Sequence, residues 1–77
     1  MEIKILGTGC PKCKTLEKLT HEVVADSGID AQVSKVEDIM EIMNYGVVST
    51  PGLVVDGKVK LSGRLPSKDE LKKFLNV

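Results

Sequence analysis

Between Leu6 and Pro11 the hydrophobic period of the chain changes from two to about 3.6, and Cys10-Pro11-Lys12-Cys13 sits at that change. Upstream, Glu2 to Leu6 read as a strand with Ile3 and Ile5 on one face, interrupted by Gly7 to Gly9. Downstream, Cys13, Leu16, Thr20, Val23 and Val24 fall near one face of a helix, while Lys12, Lys14, Glu17, Lys18 and Glu22 point elsewhere. Pro11 suits the first helical position, where its missing N–H leaves no bond unmade. Gly28 supplies a stop. A strand followed by a helix of this length returns through a crossover, so the next extended stretch, Ile29 to Val36, is expected as a parallel strand.

The remaining pattern completes a βαβαββα order. Asp38 and Glu41 form a helix-capping pair, and Ile39, Ile42 and Met43 give an apolar stripe before Gly46 ends a short second helix. Met40 and Met43 read as core filling on that stripe. After Val47, Val48, Ser49, Thr50 and Pro51, the run Leu53 to Val55 meets Asp56-Gly57, a dipeptide suited to a type I′ hairpin. Lys58, Val59, Lys60 and Leu61 return, with alternating lysines that mark a protected edge. Ser67 and Glu70 make a capping box ahead of Leu71, Phe74 and Leu75, so the last element is an amphipathic helix.

With 77 residues the chain suits one domain, residues 1–77, whose core supplies only ~3–5 kcal/mol of net stability. Eleven basic residues balance eleven acidic ones, and only Tyr45 and Phe74 are aromatic. That leaves neither a phosphate-binding charge excess nor stacking platforms, so nucleic acid is not an expected partner. No apolar run approaches the ~20 residues of a membrane span, no signal peptide is recognisable, and the cytoplasm is the expected location.

In a compartment that keeps thiols reduced, two cysteines this close point to catalysis or metal binding before a structural staple. At the start of a helix, unpaired N–H groups and the helix dipole favour a thiolate at Cys10 over a free thiol of pKa about 8.5, with Lys12 and Lys14 adding positive charge. Cys13, one turn further in and on the apolar face, is more shielded and suited to resolving a mixed disulfide. The alternatives are two small buried hydrophobes, or a soft-metal carrier of the copper type holding one ion between the same two thiolates. Copper-carrying domains resemble βαββαβ and usually place Met where this chain has Thr8. A closed zinc site lacks ligands: His21 is eight residues past Cys13, a rise of ~12 Å along a helix.

Cys10-Pro11-Lys12-Cys13 after a first strand, Ser49-Thr50-Pro51 before a hairpin and a closing helix together resemble the thioredoxin superfamily over the whole chain. The stretches Gly7 to Cys13 and Tyr45 to Pro51 are similar to those of small thioredoxin/glutaredoxin-like redox-active disulfide proteins of archaea and bacteria. The resemblance implies a thioredoxin-like α/β fold: a four-stranded mixed sheet flanked by three helices, with strands ordered second, first, third, fourth. It also implies a cis Pro51, with Thr50 beside the reactive cysteine offering its backbone to an extended substrate segment. The implied activity is dithiol-disulfide exchange, with Cys10 as nucleophile and Cys13 as resolving thiol. Thr50, Pro51, Pro11 and Lys12 are the expected substrate-binding residues. Protein disulfide substrates and an upstream reductase or dithiol donor are the expected partners, with no separate cofactor and a monomer as the default. The chain departs from thioredoxins at Gly9, where Trp is usual, and in the first strand, where Lys4 is the nearest ionisable residue in place of a buried acid. It departs from glutaredoxins at Ser62-Gly63-Arg64, where a glutathione-reading segment is usual.

Overall fold

The computed structural model describes all of residues 1–77. Its elements are β1 (Glu2–Leu6), α1 (Pro11–Ser27), β2 (Gln32–Val36), α2 (Ile39–Asn44), β3 (Gly52–Val55), β4 (Lys58–Ser62) and α3 (Lys68–Leu75). The sheet order is β2-β1-β3-β4, with β1 parallel to β2 and antiparallel to β3, and β3 antiparallel to β4. This is the expected thioredoxin-like arrangement. A chain that closes with α3 after a β3–β4 hairpin does not have the βαββαβ order of the copper-carrying domains.

The period-two alternation of β1 divides the core. Ile3 and Ile5 join Leu53, Val55 and Leu61 on one face, where Leu16 and Val23 of α1 and Leu71 and Leu75 of α3 cover them. Leu6 faces the other way with Val54, Val36, Val47 and Ile42 of α2. Each fully buried Leu or Ile contributes about 1.5–3 kcal/mol relative to an exposed one, so α1 and α3 are held chiefly by these contacts. Caps settle where the helices begin. The Asp38 carboxylate accepts from Met40 N–H at 2.9 Å, and the Ser67 hydroxyl accepts from Glu70 N–H at 3.2 Å. Gly28 closes α1 in the left-handed conformation at φ 65°. Asp56 and Gly57 both have positive φ, as a type I′ turn requires, and β4 lies at the sheet edge with Lys58 and Lys60 exposed.

Two sequence expectations are corrected, and the place of Lys4 is explained. Strand β2 begins at Gln32 and not at Ile29, because its partner β1 begins at Glu2, in register with Gln32. Ile29 and Ala31 still pack against the core. On α2 only Ile42 is buried. Ile39, Met40 and Met43 are 61%, 68% and 60% exposed, so the methionines do not fill the core. Six helical residues rise only about 9 Å, too little to lay a continuous stripe on the sheet. Finally, β1 is central yet carries Lys4 on its α2 face. The short helix leaves this face open, and Lys4 runs out to donate to the Tyr45 hydroxyl at 3.2 Å, with Glu2 at 3.6 Å. The Tyr45 hydroxyl, seconded by Glu2, pushes the Lys4 amine above its ordinary value. No helix is long and apolar enough to cross a membrane.

Candidate active site

The break after β1 places Cys10 as the N-cap of α1, in extended conformation at φ −67° and ψ 161°, with Pro11 as the first helical residue. The Cys10 sulfur accepts the Cys13 N–H at 3.2 Å, and the Cys10 carbonyl accepts the Lys14 N–H at 3.1 Å. A sulfur thus occupies the place usually held by a Ser or Asp oxygen, directed at the free N–H groups of the helix. No acidic residue stands in the first turn to oppose a thiolate there, and Pro11, Lys12 and Lys14 are exposed around it. Cys10 is half-buried. Cys13 is 5% exposed on the inner face of α1. The two are joined as a disulfide, with Cα atoms 5.1 Å apart. One sulfur is therefore reachable and electrostatically favoured as an anion, and the other is screened.

Gly7 makes this packing feasible. Its N–H donates to the Val36 carbonyl at 2.9 Å, which ends the β1–β2 ladder. A Cβ built on Gly7 would lie 2.9 Å from Cys13 Cβ and overlap Cys13 Sγ, with Thr50 Cβ at 3.9 Å. The end of β1, the resolving cysteine and the segment before β3 thus meet at a residue without a side chain. In the sequence Gly7 was legible only as a strand breaker.

The Thr50–Pro51 peptide is cis. Pro51 is fully buried and its carbonyl accepts the Gly63 N–H at 2.9 Å, while Thr50 is half-buried. Thr50 faces an apolar groove of about 340 Å³ shared with Thr8, Ile39, Met43 and Val48, and Val48 is 96% exposed. The sequence carried a signal for this groove in the apolar pair Val47 and Val48 before Ser49-Thr50-Pro51, of which Val47 is buried and Val48 exposed, but which way α2 turned was not readable. Of the expected binding residues, Pro11, Lys12 and Thr50 present surface near Cys10 and Cys13, whereas Pro51 lies beneath. Arg64 does not reach this region: it forms a two-pronged pair with Glu70 of α3, Nη1 to Oε1 at 2.8 Å. Arg64 holds the Glu70 carboxyl below the usual carboxylate range.

A cysteine pair able to open and close as a disulfide, with one sulfur capping the helix and one buried behind it, suits thiol-disulfide exchange. Comparison with known proteins supports that chemistry over nearly the whole chain. Residues 1–76 match the family described as thioredoxin domain. The chain is 46% identical over 76 residues to a protein named thioredoxin from Methanothermobacter thermautotrophicus, covering 99% of each chain. It is 41% identical over 73 residues to a thioredoxin from Methanocaldococcus jannaschii, covering 95% of this chain and 84% of that one. A probable thioredoxin from Archaeoglobus fulgidus is 29% identical over 69 residues, covering 86% of this chain and 75% of that one. The chain belongs to the thioredoxin domain family. Its activity is protein dithiol-disulfide oxidation and reduction, and its partners are of two general kinds: protein disulfides, and a reductase that restores the dithiol.

Proposed function

We propose that residues 1–77 act as a single domain that reduces protein disulfides through Cys10 as nucleophile and Cys13 as resolving thiol. The observation that carries this assignment is the asymmetry of the pair: Cys10 Sγ accepts a helix N-terminal N–H at 3.2 Å, and Cys13 is 5% exposed. The Cys10 thiolate attacks one sulfur of a substrate disulfide, forming a Cys10–substrate disulfide and releasing the other substrate sulfur as a thiolate. Deprotonated Cys13 then attacks Cys10 Sγ, the Cys10–substrate bond breaks, and the second substrate sulfur leaves. Two electrons have passed to the substrate, and Cys10–Cys13 is the oxidised product. An upstream reductase or dithiol donor returns the two electrons. The chain's own side chains suffice for these steps.

In this reading the substrate lies extended across Thr50, whose backbone supplies short β-type pairing, with Pro51 buried beneath to hold that segment and Pro11 and Lys12 flanking Cys10. The exposed apolar side chains of Val48 and Met43 adjoin Thr50 and suit an apolar stretch of a substrate. The domain works as a monomer in the cytoplasm, where a reducing dithiol has a continuous supply of electrons. The test is Cys13→Ser, which is expected to retain attack and to accumulate mixed disulfides through Cys10, detected by intact mass under turnover. A Cys13→Ser protein that remains folded and traps no substrate would overturn the assignment of roles.

A further inference from the structure

On the α1 side of the sheet a cavity of about 120 Å³ opens beside Cys13, and its walls carry four charges: Lys14 and Glu17 from α1, Lys35 from β2 and Glu37 just beyond it. Gly7 and Gly9 complete its wall beside Cys13. The volume accommodates several waters at ~30 Å³ each. A thiol in screened surroundings gives up its proton less readily than one in water, yet Cys13 must lose its proton to attack Cys10. The first strand's one acid, Glu2, is paired with Lys4 and away from Cys13. Lys4 lies on the opposite face, engaged with Tyr45 and Glu2. Residues four apart on a helix lie on one side, roughly 5–6 Å apart at Cβ, which sets Glu17 one turn beyond Cys13 and on the same cavity. Its side chain is 27% exposed and paired with Lys35 Nζ at 3.7 Å, whereas Glu37 is 60% exposed and 4.0 Å from the same amine.

We infer that Glu17 is the proton acceptor for Cys13, acting through water in this cavity, with Lys35 as the residue that positions its carboxylate. The inference rests on the exchange mechanism above and names the group that serves its second step. In the mixed-disulfide state the Cys13 proton passes through water to the Glu17 carboxylate, and the Cys13 thiolate attacks Cys10 Sγ. The substrate sulfur leaves as a thiolate and takes a proton from solvent, while Glu17 releases the transferred proton through the cavity mouth. In the reverse direction Glu17 returns a proton to Cys13 as the internal disulfide opens. Glu17 is shared between two tasks that the sequence shows only as a charged residue on the helix's outer side.

The experiment is a single turnover with excess protein disulfide, acid-quenched at intervals and resolved by intact mass into reduced, mixed-disulfide and oxidised protein. Wild type, Glu17→Gln and Glu17→Asp are compared from pH 6 to pH 10 after denaturant melts establish that each is folded. General-base contributions are typically 10²–10⁴-fold, and relay through water places the effect at the lower end. The expected result is that Glu17→Gln attacks at the wild-type rate but resolves at least about tenfold more slowly near pH 7. That deficit closes as pH rises and hydroxide takes the proton, and Glu17→Asp recovers part of the rate. Resolution by Glu17→Gln within twofold of wild type, or a deficit equal at every pH, would overturn the inference. Failure of wild type itself to pass through a mixed disulfide would instead overturn the exchange mechanism.

Discussion

Replacing Gly7 with Ala probes the contact on which the dithiol packing depends. The added methyl would sit 2.9 Å from Cys13 Cβ and overlap Cys13 Sγ. Gly7 is not among the glycines with positive φ, so the backbone itself accepts Ala, and the loss of chain entropy in the unfolded state favours the variant by about 0.4–1 kcal/mol. Forcing a methyl into a filled site costs about 1–3 kcal/mol. The steric term wins, and the oxidised protein is expected to lose about 1–2 kcal/mol. In a small domain whose urea dependence is about 1 kcal/mol/M, that moves the unfolding midpoint down by about 1–2 M.

The two redox states separate the contributions. A reduced Cys13 can rotate its sulfur away from the methyl, leaving only the Cβ contact, whereas the disulfide holds the sulfur in place. The reduced form should therefore lose less. The linkage between folding and oxidation then raises the reduction potential of Gly7→Ala, by about 30 mV for every 1.4 kcal/mol of difference between the two states. Paired urea melts of oxidised and reduced protein, with a redox titration counting free thiols by alkylation and mass, measure both quantities. Oxidised Gly7→Ala with the wild-type midpoint, or equal losses in both states with an unchanged potential, would refute the reasoning.

Core and groove respond differently to truncation. Leu71→Ala removes a fully buried side chain and is expected to cost about 2–5 kcal/mol, comparable with the whole stability of so small a domain, whereas Met43→Ala changes a 60% exposed side chain and should stay within about 0.5 kcal/mol. Thermal melts of the two variants side by side check this, and a large loss at Met43 would return α2 to the core. The Arg64–Glu70 pair sets a pH dependence: Arg64 lowers the Glu70 carboxyl below its unfolded value, so the stabilisation is present above the ordinary carboxylate range and is lost as pH falls through the depressed value. Glu70→Gln should melt at lower urea than wild type at pH 7, and the gap should shrink toward pH 3. A gap that widens on acidification would contradict the assigned direction.

The local order of this protein is written in its sequence because each signal acts over a few residues. The alternation of Ile3 and Ile5, Pro11 at the first helical position, Gly28 at the stop, Asp56-Gly57 at the turn and Ser67 at the last cap each depend on a few neighbouring residues, and all five appear where the pattern puts them. The same locality made Cys10 and Cys13 legible, since their meaning lies in the strand-to-helix junction that contains them. Contacts between distant segments were decided by the tertiary structure alone. Lys35 meets Glu17 only because β2 pairs in parallel with β1 beneath α1, and Gly7 owes its importance to Cys13 and Thr50 arriving from two other elements. Met40 and Met43 share the periodicity of a core stripe, but how deep a helix sits depends on its length and on what lies beneath it. With six residues over a strand carrying Lys4, α2 buries Ile42 and leaves both methionines at the surface, because hydrophobic burial is set by the summed geometry of the packed elements and not by the pattern of any one of them.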